Sequence, residues 1–594
     1  MMRTPLRPLA RVLPARLRGE NPDKIEADNI RARHEEMRDK MRARAESRLL
    51  FTAVLFLAGF TVVGARMTAL ASSEAVEPQA SASSASIVAQ RANITDRNGR
   101  VLATNLITNS LYAQPKRMIE PERAAKELAA IFPDLKEDEL LEDFTGTRKF
   151  LWIKRKISPE QQQAVHDIGD PGLLFGPREM RLYPNGKLAP HILGGASFGR
   201  EGVHSAEVIG TAGVEKAFDA YLRDPAHDGA PLELSIDMTI QQAMRRVLYG
   251  GMKLMNARGA TAVLMKVDTG EVVSMVSLPD FDPNTRPADP RKIDPSDSPL
   301  FNRAVQGVYE LGSTFKVFTA AQALELGLVN PSTMLETKGP MRWGRYRIRD
   351  YHDHGDELSV SDVIVKSSNI GTAKMALNIG AKRQRAFLDS LGFFDPTPVE
   401  LVEAPGAYPI LPRKWSEIST MTVSYGHGIA ASPLHLAAAY ATMVGGGTKI
   451  TPTLVKTDTP AQGERVISER TSSQIRLMLH KVVQEGTASF ARDTGYLVGG
   501  KTGTADKPKR QGGGYHKDKV IATFAAAFPI TSPEYVLVVT LDEPSENSGK
   551  KPRRTAGWTA VPVAAEIIKR TAPLLGLRPI ETGGPDAVTP VKFQ

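Results

Sequence analysis

Three short polar strings, far apart in the chain, constrain its fold more than anything else in it. They are Ser313-Thr314-Phe315-Lys316, Ser367-Ser368-Asn369 and Lys501-Thr502-Gly503-Thr504. Together they hold a nucleophile, two candidate proton carriers and a cationic anchor for an anion. Both gaps between them are domain-sized, so the set has chemical meaning only if the fold brings the chain back to one place twice. Taken singly, each string has a plainer reading. Gly-Ser-Thr before an apolar run is an ordinary helix start, Ser-Ser-Asn is a polar turn, and Lys-Thr-Gly-Thr is a solvated β-turn.

The combined reading has a physical basis. A serine needs a base within hydrogen-bond reach. Residues at i and i+3 share a helix face, so Lys316 is expected beside Ser313. Phe315, Val317, Phe318, Ala320, Ala321 and Ala323 make an apolar helix able to bury that pair. Burial lowers a lysine pKa, and a second cation such as Lys501 lowers it further, leaving a neutral amine that can accept a proton. Gly312 permits close backbone approach and leaves the Ser313 amide at a helix N-terminus as an oxyanion donor. Ser367 and Asn369 follow the helically spaced Val360, Val363, Ile364 and Val365, and can relay a proton and hold a substrate amide. Lys501 follows an apolar, glycine-marked strand signal at Tyr496–Gly500. Alternation puts Lys501 and Gly503 on one face and Thr502 and Thr504 on the other.

A rival uses the same residues. Gly495 to Thr502 fits G-x-x-x-x-G-K-[ST], and Val536–Leu541 before Asp542-Glu543 imitates a second nucleotide-binding string. A phosphate-binding loop must follow a buried strand and open a helix. Ser489–Asp493 is no buried strand, and Pro508 with the run Gly512–Gly514 denies a helix. His352, Asp353, His354 and Asp356 crowd one loop, a weak arrangement for a metal that needs spaced ligands. His427, between two glycines, either lines a cleft or shapes a turn.

The 594 residues exceed one domain. The composition is globular, 41% hydrophobic and 24% charged. The net charge of +10 is spread along the chain, with no aromatic-interleaved basic patch, so nucleic acid is not an expected partner. Cysteine is absent, which rules out disulfides and thiolate chemistry.

Residues 1–48 carry thirteen Lys/Arg and eight Asp/Glu, and Leu49–Ala65 is uncharged and mostly apolar. That stretch is at the short end for a membrane-spanning helix. Arg66 can snorkel and let the helix run to Ala71. Arg42, Arg44 and Arg48 put the N-terminal side in the cytoplasm. A cleaved signal peptide, with Ala69-Leu70-Ala71 as the site, is the alternative. The long N-terminal region and Arg66 argue against it.

The expected organisation is a cytoplasmic basic tail (1–48), an anchor (49–71) and a Ser/Ala-rich linker (72–86). A mixed non-catalytic pedestal (87–230), a catalytic domain (231–576) and a loose tail (577–594) follow. In the pedestal, Asp96–Gly99 and Arg181–Gly186 read as turns and Glu122–Phe132 as a helix. From 231 the chain offers a strand at Leu234–Asp237, a helix at Thr239–Leu248 and a hairpin at Ala262–Val276. A helical block (Thr314–Met443), three strands and a last helix at Val561–Lys569 follow. This is an α+β layout, an antiparallel sheet flanked by helices with an all-helical block.

With these strings in place, the chain resembles the class B penicillin-binding proteins, specifically the division type, over nearly all of Leu49–Lys569. Tyr309–Lys316 resembles Y-E-P-G-S-T-x-K, with Leu311 where proline is usual. Lys366–Gly371 resembles K-S-S-N-x-G, and Gly500–Ala505 resembles G-K-T-G-T-A. Lys414–Ile418, Ser424–Gly428 and Pro433–Ala437 are closer to the division type than to the elongation type. Arg91–Gly99 is similar to R-G-x-I-x-D-R-N-G, with Ala92 for glycine.

The resemblance implies a periplasmic D,D-transpeptidase of the inner membrane that cross-links peptidoglycan stem peptides ending in D-Ala-D-Ala and is acylated by β-lactams. It implies Ser313 as nucleophile, Lys316 as first base, Ser367 as proton shuttle and Lys501 as its cationic partner. Asn369 orients the substrate amide, and Thr502, Gly503 and Thr504 bind the terminal carboxylate. The Ser313 and Thr504 amides form the oxyanion hole. No cofactor or metal is implied, and the implied partners are division proteins, among them an FtsW-like glycan polymerase. No Glu-x-x-Leu-Asn string follows Asn369, which argues against β-lactam hydrolysis. An elongation-type role, or a β-lactam-binding sensor or scaffold without turnover, is the alternative reading.

Overall fold

The computed structural model describes residues 14, 16–72, 91–201, 206–288, 294–509 and 513–579. The linker after Ser72 and the tail from residue 580 lie outside the described residues. Two compact bodies result, residues 1–79 and 80–594.

The first holds the long helix Pro22–Ser72. The expected anchor is its C-terminal part, and the helix extends through most of the basic tail. Opposite charges at i,i+4, such as Arg42–Glu46 (3.1 Å) and Glu36–Lys40 (4.0 Å), suit a solvated helix there. It is the one helix among the described residues long and apolar enough to cross a membrane.

The second body is built on a five-stranded sheet. Its strands are β1 (Gly259–Lys266), β2 (Val272–Leu278), β3 (Gly499–Pro508), β4 (Tyr515–Phe528) and β5 (Tyr535–Asp542). The order is β3-β4-β5-β1-β2, with every pair antiparallel. Every residue of β5 is buried. That explains the unbroken apolar run Val536–Val539 where a one-sided antiparallel strand would alternate. Helices α1 (Met238–Leu254) and α5 (Ala560–Thr571) pack on each other and on the sheet. The alanine-rich helix Pro433–Val444, buried along its whole length, also packs on it. Asp237 caps α1 as its spacing predicts, accepting from the Thr239 and Ile240 amides. The helix runs six residues past the expected end at Leu248.

The segment between β2 and β3 supplies α2 (Lys316–Glu325), α3 (Asn369–Ile379) and α4 (Glu469–Glu485). Four three-residue strands at 334–359 interrupt the helical block expected over Thr314–Met443.

In the 91–230 region Val101–Ala113 pairs antiparallel with Leu173–Leu182 and Leu151–Ile157. Arg181 and Leu182 therefore end a strand rather than open a turn. Asp96 caps the expected turn, its Oδ1 accepting from the Asn98 and Arg100 amides, both at 2.9 Å. Leu111, Leu128, Phe132, Phe144 and Ile168 form a separate small core. At the other end, Ile94, Leu102, Val214 and Leu222 join the same core as the sheet. Buried charges hold this junction. Glu215 accepts from Arg91 Nε (2.7 Å) and Arg181 Nε (2.6 Å), and Arg91 also reaches Asp219 (2.7 Å).

Candidate active site

The edge strand β3 and a tight turn make the first wall. Gly312–Phe315 is a 3-10 turn, and Lys316 opens α2. Gly312 has φ +57°, and a Cβ there would stand 2.9 Å from the Thr504 carbonyl oxygen. Across the contact, a Cβ on Gly503 would lie 2.1 Å from the Leu311 carbonyl oxygen. Both glycines are required because two backbones touch. Behind the turn, Phe315, Phe318, Phe393 and Tyr440 pack as a ring cluster. Tyr440 also donates its hydroxyl to the Thr314 carbonyl at 2.9 Å.

The three strings meet at Ser367. Its Oγ lies 3.0 Å from Lys316 Nζ and 2.9 Å from Lys501 Nζ. Lys316 donates as well to the Ser367 carbonyl. The hydrogen bonds given for the Lys316 amine go to Ser367 rather than to Ser313. Ser367 has φ +62°, a left-handed conformation that a non-glycine residue holds only under constraint from its surroundings. Both lysines are fully buried. Burial, and then the neighbouring Lys501, hold the Lys316 amine well below its ordinary pKa, with Asp350 acting the other way. Burial alone brings Lys501 down to about 7.

Asp350, which sequence reading missed, organises the Ser-Ser-Asn string. Its Oδ1 accepts from the Asn369 amide (2.5 Å) and the Ile370 amide (3.0 Å), and its Oδ2 from Ser368 Oγ (2.6 Å). A carboxylate at the start of α3 satisfies orphan N–H groups and complements the helix dipole. Asn369 donates its side-chain amide to the Arg349 carbonyl at 2.9 Å. Ser368 caps α3 locally through the Gly371 amide (3.0 Å).

Along β3 the expected alternation holds. Gly503 faces the Gly312–Phe315 turn, and Lys501 reaches Ser367. Thr502 Oγ1 pairs with Thr487 Oγ1 at 2.6 Å, and Thr504 Oγ1 accepts from the Ala556 amide at 2.9 Å. The phosphate-loop alternative fails on geometry. Gly495 ends a 3-10 turn, and Lys501–Thr504 lies inside a strand that runs to Pro508. The anion site that a helix N-terminus would build is therefore missing. Among the described residues, no group of three or more His, Asp or Glu side chains is arranged to hold a metal.

Glu310 was also missed as a site neighbour. It accepts from the Gly428 amide (3.0 Å) and the Tyr515 hydroxyl (2.9 Å), and its other oxygen lies 3.1 Å from His427 Nδ1.

Residues 260–569 match the family described as the penicillin binding protein transpeptidase domain, and residues 86–226 the penicillin-binding protein dimerisation domain. The chain is 34% identical over 499 residues, 82% of either chain, to a probable peptidoglycan D,D-transpeptidase FtsI of Caulobacter vibrioides. It is 31% identical over 526 residues to stage V sporulation protein D of Bacillus subtilis, covering 82% of this chain and 79% of that one. The crystal structure of penicillin binding protein 3 from Mycobacterium tuberculosis, complexed with aztreonam, shares the fold. Its TM-score is 0.62 at 24% identity, covering 85% of this chain and 99% of that chain. The chain belongs to the class B penicillin-binding proteins and is a serine-type peptidoglycan D,D-transpeptidase.

Proposed function

We propose that Ser313, Lys316, Ser367, Asn369 and Lys501 carry out this transpeptidation, in septal wall synthesis. The observation that carries the site assignment is the shared Ser367 Oγ, held between two buried lysine amines next to the Ser313 turn. Neutral Lys316 takes the Ser313 proton as Oγ attacks the penultimate D-Ala carbonyl. The Ser313 and Thr504 backbone amides, on the two backbone segments that touch at Gly312, receive the oxyanion. Ser367 passes the proton to the leaving D-Ala amine, and Lys501 sets the polarity of that relay. Asn369 orients the donor's amide, while Thr502, Gly503 and Thr504 meet its terminal carboxylate. An amine from a second stem peptide then displaces Ser313. β-Lactams acylate the same serine.

In this reading the Pro22–Ser72 helix anchors the chain in the inner membrane with its basic end in the cytoplasm, and the second body works in the periplasm beside an FtsW-like polymerase. The division role is supported by the strings Lys414–Ile418 and Ser424–Gly428 and by the Caulobacter relative. Intact-mass analysis with penicillin tests the site. One adduct is expected on the peptide containing Ser313, and none in Ser313→Ala. Depleting the protein tests the role. Filaments blocked at the septum are expected, whereas rounded cells would assign it to elongation.

A further inference from the structure

Next to the nucleophile turn lies a histidine–carboxylate pair that the steps above do not use. Gly426, one residue before His427, packs so closely that a Cβ there would stand 2.1 Å from the carbonyl oxygen of Gly312, one residue before Ser313. His427 is thus tied to the backbone that carries the nucleophile. Its Nδ1 lies 3.1 Å from Glu310 Oε2, and its side chain is 45% exposed. With its proton on Nδ1, toward the carboxylate, the neutral imidazole keeps its lone pair on Nε2. Tyr515 braces the pair, its ring 4.8 Å from the imidazole and its hydroxyl on Glu310. A cleft of about 900 Å³ continues past Glu310, Gly428 and Asp506.

Transpeptidation has a proton problem that acylation lacks. A lysine-like primary amine has a pKa of about 10.4, so it arrives as an ammonium and cannot attack. We propose that Glu310 and His427 form the acceptor site: the carboxylate side attracts the ammonium of a second peptide, and His427 Nε2 removes its first proton. This rests on the Ser313 acyl-enzyme reading.

The step balances. The ammonium gives one proton to His427 and attacks the Ser313 ester. The C–N bond forms, the nitrogen's second proton passes through Ser367 and Lys316 to Ser313 Oγ, and the C–O bond breaks. His427 then releases its proton to water. Glu310, from the nucleophile segment, raises the His427 pKa through its hydrogen bond and charge, and Asp506 from β3 adds to this, with burial opposing. Tyr515, from β4, faces the pair as a hydroxyl. A stronger base suits the task.

The test uses the full-length chain in detergent, a thioester of an acylated D-amino acid as donor and an N-acetyl-lysine amide as acceptor. Acyl-Ser313 formation and amide product are measured separately in wild type, His427→Gln and Glu310→Gln. The ratio of aminolysis to acylation should fall by about tenfold or more at neutral pH in both variants. That deficit should close toward pH of about 10, where the acceptor loses its proton unaided. A ratio within about twofold of wild type, or a parallel fall of both rates, would overturn the proposal. A wild-type chain that never acylates at Ser313 would instead remove the reading beneath it.

Discussion

Two regions of the second body bury charge, in opposite ways. In the pedestal junction, Arg91 and Arg181 share Glu215, and Arg91 also holds Asp219. At the active site, Lys316 and Lys501 converge on a neutral serine hydroxyl, and the carboxylate that acts on Lys316, Asp350, is occupied with the start of α3. A buried ion with a matching counter-ion keeps its charge and fastens two segments together. A buried amine without one gives up its proton and becomes a base. The first arrangement serves the fold, and in the proposed mechanism the second serves the chemistry.

The contrast can be broken by mutation. The largest effect is expected for Lys316→Ala, which removes the base and should slow acylation of Ser313 by about 10²–10⁴ while the protein stays folded. Stopped-flow acylation beside a melting curve checks both halves. In the pedestal, Glu215→Ala should do the reverse. It takes the carboxylate from buried Arg181 and leaves Arg91 with Asp219 alone, and should cost about 3–5 kcal/mol of stability. Any acylation change per folded molecule, measured by β-lactam labelling of the native fraction, should be small. If Glu215→Ala slowed acylation as much as Lys316→Ala does, the division of labour would be wrong.

Asp350→Ala lies between them, losing the acceptor of three donors at α3. A cost of about 1–2 kcal/mol is expected in denaturant titration, together with slower acylation as the Ser367 conformation loosens. A separate signal is in the pH dependence of stability. Burial brings the folded pKa of Lys501 down to about 7 from the ordinary lysine value of 10.5. Between those values the unfolded chain binds more protons, so stability should rise with pH across that window. Lys501→Met should flatten the rise.

Much of this was legible in the sequence, and the pattern of misses is physical. The strings, the hairpin, the sheet strands and the caps rest on local signals, such as Asp237 before α1 and the apolar run of β5. The four small strands at 334–359 carry no such run. Helical spacing put Lys316 beside Ser313 but gave no sign that its amine also meets Ser367, 51 residues away in the chain. Asp350 was invisible because its partners, Ser368, Asn369 and Ile370, are distant in sequence and its own neighbours form a polar loop. Glu310 sat inside a quoted string, but its partners come from the Gly428 loop and from β4. The merging of pedestal and sheet cores at Ile94 and Val214 was hidden for the same reason: buried ion pairs between distant residues leave no periodicity.

The most direct test of the central claim is the pH profile of Ser313 acylation by a β-lactam. An amine kept neutral by burial and an adjacent cation predicts acylation near its maximum at neutral pH, with loss only on the acid side. A rate that is low at neutral pH and climbs steadily toward about 10.4, the ordinary lysine value, would show that Lys316 keeps its proton and would contradict the account.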